Sequence, residues 1–310
     1  MPERVLAIAL NTYREAVRAR ILLGLFALSL ATAAYSLVVA ELSLHNELRV
    51  VADLTAASAS LYGVLVAVVL GSSSLYREVE HKTVFPILSR PIRRWEYLVG
   101  KYVGTVLTVA VFLAVDAGAG LVLLALEAGQ PGWKVGCLVG ALLAVLGAAL
   151  FYARRVRVFV AIPWSAAFLV AAWVVAAPAL EERQLVVASA VLSVCEVGIV
   201  AALATFFASF SSPFLTAAFT ATVFVIGRSS DTLGRLPVKV FGAQAAAGGR
   251  ALARVFPNLH VYVPPRPLLL GQVAGSPVWG YVAVAALHAV FYVAALLAVG
   301  SIAFSRRDFA

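Results

Sequence analysis

Asp116, Glu196 and His288, with Cys137 and Cys195, are the titratable side chains set deep inside the long apolar runs of this chain. A charge at the centre of a membrane-spanning helix costs roughly 2.5 kcal/mol or more if it faces lipid, so such groups must face a bundle interior or a wet cavity. Two kinds of chemistry suit them there. One is a polar lining for a path through the membrane, or a relay for protons. The other is a set of interhelical hydrogen bonds that fix packing, worth about 0.6–2 kcal/mol each. Asp116 and Glu196 are the candidates for a translocation path, and both roles stay open for Glu196. His288 reads as a packing hydrogen bond.

Other chemistries lack their residues. His45-Asn-Glu-Leu-Arg49 misses the second histidine of H-E-x-x-H, and no G-x-S-x-G occurs. A nucleotide-binding G-x-x-x-x-G-K-[ST] is also absent, since Gly100-Lys101 lacks the leading glycine and runs into Tyr102. The sequence therefore predicts no catalytic residue, no metal ligand and no bound cofactor. Cys137 and Cys195 read as small buried hydrophobes.

The elements that must position these residues are membrane helices. The 310 residues are 63% hydrophobic with a mean hydropathy of +0.97, well above the 45–50% apolar content of ordinary soluble domains. About 20 apolar helical residues cross a hydrocarbon core of roughly 30 Å. Ile21–Ala40, Thr55–Tyr76, Val135–Ala153 and Val158–Leu180 carry no charge; Tyr102–Leu126 carries only Asp116, and Pro277–Ser305 only His288. Leu185–Gly227 is too long for one pass and divides at Ser209-Phe-Ser-Ser-Pro213, because proline disfavours helix in the residue before it. The expectation is an all-α polytopic bundle of about eight crossings in a single domain.

Charge orients it. With the N-terminus inside, the inner segments hold 15 Lys or Arg and the short outer loops hold Arg49, Lys134 and Arg183. That bias follows the positive-inside rule and predicts both termini on the cytoplasmic face. It also accounts for the net charge of +9 without nucleic acid. Ile21–Leu30 followed by Ala31-Thr-Ala33 imitates a signal peptide, but a patterned helix precedes it and the apolar run continues, which predicts an uncleaved span.

Three segments lie outside the crossings. Residues 1–20 read as an amphipathic interface helix, with Leu6, Leu10, Tyr13 and Val17 on one stripe and Arg4, Arg14 and Arg18 on others. Residues 228–276 form an extracytoplasmic segment, with a short helix over Ala243–Val255 and extended polyproline at Pro264-Pro-Arg-Pro267. The third is "REVEHKTVFPILSRPIRRWEYLVGK", residues 77–101, whose loop over 77–98 carries much of the inner charge. Val84, Phe85, Ile87 and Leu88 supply apolar knobs, and Glu78, Glu80, Arg90, Arg93 and Arg94 ring them. That is the core-and-rim pattern of a docking surface.

"ALNTYREAVRARILLGLF" and "REVEHKTVFPILSRPIRRWEYLVGK" together resemble the permease subunit of ABC-2 type exporters, as do "ATFFASFSSPFLTAAFTATVFVIG" and the later "FPNLHVY". The resemblance rests on loose patterns over most of the chain. In the first inner loop the matching positions are Glu78 and Glu80, Thr83, Ser89-Arg90-Pro91, Trp95-Glu96 and Gly100-Lys101. Lys82 stands where members often have glycine, and the pair of crossings at 135–180 is additional to a family core of six. The resemblance implies two permease halves, a copy or a related chain, each resting on one of two cytoplasmic ABC ATPase subunits that bind ATP and magnesium. It implies a prokaryotic cytoplasmic membrane. It also implies that Glu78, Glu80, Thr83, Phe85, Ile87, Ser89, Arg90, Pro91 and Arg93 transmit ATP-driven closure. Two other classes compete with it. A proton-coupled secondary transporter would use Asp116, Glu196 or His288, but predicts paired broken helices and an internal repeat, and neither occurs. An intramembrane enzyme would need the motifs found missing above.

Overall fold

The structure, a computed structural model, describes residues 2–80, 93–153, 156–273 and 277–305. The described residues contain no strand. Helix α1 (Pro2–Val17) leads into α2 (Arg20–Glu41), α3 (Glu47–Glu80) and α4 (Arg94–Glu127). Next come α5 (Gly132–Tyr152), α6 (Ala161–Val175), α7 (Leu180–Ala208) and α8 (Pro213–Arg228). Two short helices, α9 (Ser230–Gly234) and α10 (Val238–Val255), are followed by a 3₁₀ turn at Leu259–Tyr262, the single turn α11 (Arg266–Leu269) and finally α12 (Val278–Ser305).

Seven of these helices are long and apolar enough to cross a membrane. They include both members of the pair over 132–175, the second because a 3₁₀ turn at Arg157–Phe159 leads into α6 and extends it to a 19-residue run, Arg157–Val175. The eighth expected crossing differs. Pro213 starts α8 and Arg228 ends it after 16 residues, about 24 Å, which falls short of a hydrocarbon core of roughly 30 Å.

Helices α3, α4 and α7 make the centre, and α2, α6 and α12 pack around them. Lipid tails are as apolar as leucine, so close packing rather than water exclusion holds such helices together, and small residues permit it. The centre shows this directly. A Cβ on Gly71 of α3 would sit 2.5 Å from that of Ala204 on α7, so only glycine fits that crossing. Leu113, Leu121 and Leu124 of α4 and Leu192 and Ile199 of α7 fill the space between.

The ends of the bundle are distinct. At one end α1 lies along the first turns of α4, where a Cβ on Gly104 would meet the Ala9 carbonyl oxygen at 2.5 Å. The side of α1 that packs there is Ala9, Thr12, Tyr13 and Ala16, while Leu6 is exposed. Of the stripe Leu6, Leu10, Tyr13 and Val17, Tyr13 is buried, Leu10 and Val17 are half-buried and Leu6 is exposed; the small residues face α4 because its glycines admit a closely seated helix. The last turns of α12 reach the same end, with Phe304 stacked on Tyr97 at 6.3 Å and its carbonyl accepting from Arg94 at 3.2 Å. The N-terminal helix and the end of α12 therefore share one side of the bundle.

Candidate functional site

Glu196 is fully buried on α7. Two helices supply its partners. The Ser60 hydroxyl of α3 donates to it at 2.9 Å, and the Arg228 guanidinium forms a close ion pair with its other oxygen. Arg228 is the last residue of α8, where a cation also suits the partial negative charge of the helix C-terminus. The short length of α8 is what places this arginine inside the bundle: a full crossing would have carried it past Glu196 to the surface.

Ser60 and Arg228 line a cavity of about 240 Å³. Its remaining polar wall comes from Asp53 of α3, Ser189 and Ser193 of α7, and Tyr262 and Arg266 of the returning chain. Arg266 closes the outer rim by bridging two core helices, with one nitrogen on Asp53 of α3 and another on Glu182 of α7. The second carboxylate oxygen of Glu182 is buried and has no hydrogen-bond partner among the described residues. A more open groove along Asn46, Arg49 and Val50 shares Asp53 and Ala57 with the cavity.

The chain between the two arginines folds back along the core. The Pro257 carbonyl lies against Gly227. Tyr262 reaches into α12, its hydroxyl 3.3 Å from the Ala285 carbonyl and 2.9 Å from Nδ1 of His288. Together α8 and this return segment cover the distance that one long helix covers elsewhere. His288 is exposed, and its hydrogen bond goes to the return segment rather than to another crossing.

Asp116 of α4 is the second buried acid, and its surroundings differ. Ser29 of α2 and Ser58 of α3 donate to its two oxygens, the latter at 3.1 Å. Three helices meet there with no cation among the described residues, and Asp116 lines neither cavity. Thr32 and Tyr62, paired at 2.7 Å, add a second link between α2 and α3.

The inner-loop residues divide. Helix α3 continues through Glu78 and Glu80. Thr83, Phe85, Ile87, Ser89, Arg90 and Pro91 lie outside the described residues. Arg93 is the residue before α4, its backbone N–H donating to the Glu96 carboxylate at 3.0 Å. Around that start sits a buried charged cluster. Glu96 and Lys101 are both buried in α4; Arg4 of α1 approaches Glu96 at 4.0 Å, and Lys101 pairs with Glu15 of α1 at 3.4 Å. Burial pushes the Tyr13 phenol up to about 12, and its hydroxyl has no partner among the described residues.

Sequence reasoning missed Arg228, Arg266, Ser29, Ser58 and Ser60. The usable signal was the 16-residue spacing from Pro213 to Arg228, too short to cross. The serines carry none, because a serine in an apolar helix can always bond back to its own backbone. Among the described residues no group of three or more His, Cys, Asp or Glu could hold a metal ion. Compared with known proteins, the chain matches no family model and no curated protein.

Proposed function

We propose that this chain is the membrane-spanning permease half of an ATP-driven ABC exporter, working in a prokaryotic cytoplasmic membrane with its termini on the cytoplasmic side. A separate ATPase, binding ATP and magnesium, drives it through residues 77–101. A second permease half, a copy or a relative, completes the path.

One observation carries the reading most of the way. Helices α3 and α4 are each 34 residues, about 51 Å long, so both run well past a hydrocarbon core of roughly 30 Å. The segment 81–92 joins them, and α1 is clamped across the start of α4 by the Glu96 and Lys101 cluster. Force applied to that loop would move two central helices as rods. Those rods bear Ser60, which holds Glu196, and Asp116. At the other end of the bundle the cavity is closed by ion pairs to the return segment, which is what a path opened by helix movement requires.

Phe85→Asp tests this. An unpaired charge in a docking groove costs several kcal/mol, so this variant should insert normally yet lose the co-purifying ATPase. Arg93→Glu, a rim change, should weaken association in a salt-dependent way. Undiminished co-purification and ATP turnover with Phe85→Asp would reduce the loop to a topology anchor. The Glu196–Arg228 pair beside a cavity that also holds Asp53, Ser189 and Ser193 suits a second reading, proton-coupled transport. Transport in vesicles driven by a pH gradient without ATP would select it.

A further inference from the structure

Helix α10 bends at Gly242, whose φ of 83° breaks it into a short lead and a longer part over 243–255. That longer part has three sides. Ala246 and Gly249 are buried, and Gly249 lies so close to the Leu233 carbonyl at the end of α9 that a Cβ would sit 2.6 Å away. Arg250 and Arg254, one turn apart, make a second side and are exposed. By helical spacing Leu252 and Val255 project almost opposite the arginines, and they are 39% and 72% exposed. The lead before the bend repeats the mixture, with exposed Lys239 beside Val240 and Phe241.

Charge is one-sided here. Arg235, Lys239, Arg250 and Arg254 stand in 229–256 with one acid, Asp231, which accepts from Asn258 at 3.0 Å. Among the described residues none of the four cations is in an ion pair, although Arg228 and Arg266 at the two ends of the segment both are. A free cationic side opposite a free apolar side suits one environment. The boundary of a bilayer offers phosphate and hydrocarbon within the width of a helix. A second copy of the same helix would bring like charges together, and a water-soluble acidic partner would leave Leu252 and Val255 uncovered.

We propose that α10 is a lipid-headgroup site: it lies in the membrane interface with Leu252 and Val255 in the acyl region, and Arg250, Arg254, Lys239 and Arg235 hold the phosphates of anionic phospholipids. This assignment stands independently of the exporter reading, since it needs only a membrane around the bundle.

The test uses the full chain with Cys137→Ala and Cys195→Ala, a fluorophore on Val255→Cys, and reconstitution into phosphatidylcholine vesicles. Brominated lipids should quench the label and aqueous iodide should not. Brominated phosphatidylglycerol should quench better than brominated phosphatidylcholine. That preference should fall about fivefold with each of Arg250→Gln and Arg254→Gln, and shrink at high salt in the chain with both arginines intact. A label on Val145→Cys of α5 should show no such preference in any variant. Quenching by iodide, shielding from both quenchers by a protein partner or a second copy, or a preference indifferent to salt and to both arginines would each overturn the proposal.

Discussion

Asp116 and Glu196 are the same chemistry in two settings. Both are fully buried acids on central helices, and both receive serine hydroxyls from α3. Among the described residues Asp116 has only hydroxyl partners and lines neither of the two cavities, so it is satisfied as a three-helix pin. Glu196 is paired with an arginine delivered by a helix too short to cross, and its two partners line a cavity with both polar and apolar walls. The contrast shows that a buried acid is informative about function only through what else must be buried with it. A pin needs nothing more; an ion pair held beside a cavity must be remade if the neighbouring segment moves.

Hydration should separate the two most completely. In a background with Cys137 and Cys195 replaced, Ser189→Cys on the cavity wall should react with a small water-borne thiol reagent, while Ser29→Cys beside Asp116 should stay unmodified. Equal reactivity would erase the contrast. Next in size is the ion pair. Glu196→Leu leaves Arg228 facing an apolar wall and should cost about 3–5 kcal/mol of stability in detergent thermal unfolding, whereas Glu196→Leu with Arg228→Leu should recover most of it. A double variant no better than the single would show that the two residues are not energetically coupled. The smallest effect belongs to the pin. Asp116→Leu should cost about 1–2 kcal/mol, because the freed serines can turn back to their own helices, and Asp116→Asn less than about 1 kcal/mol. A loss at Asp116→Asn as large as at Glu196→Leu would make the hub a second ion site.

Much of this is legible in the sequence. The cost of charge in lipid placed Asp116 and Glu196 inside, and run length located seven of the long apolar helices. Pro213 marked the start of α8, but an apolar run does not declare whether it spans or stops halfway. Which glycines matter was hidden as well. Gly100 and Gly104 seat α1, while the equally spaced Gly136 and Gly140 meet nothing within 4 Å. The motif records only that a close approach is allowed. The side of α1 that seats on α4 was hidden for a related reason: hydrophobic periodicity reports affinity for an apolar medium, and small residues that fit a neighbouring helix score poorly on it.

Helix α5 takes that lesson furthest. Val135 is its one buried side chain in 21 residues, and Trp164 of α6, donating to the Leu142 carbonyl at 2.9 Å, is among its few ties. Membrane folding can be divided into insertion, which lipid drives, and association, which packing drives. α5 has completed the first stage and scarcely entered the second. Its orientation is therefore set by solvation in the bilayer and by its tethers, so it can swing or slide against the bundle at little energetic penalty.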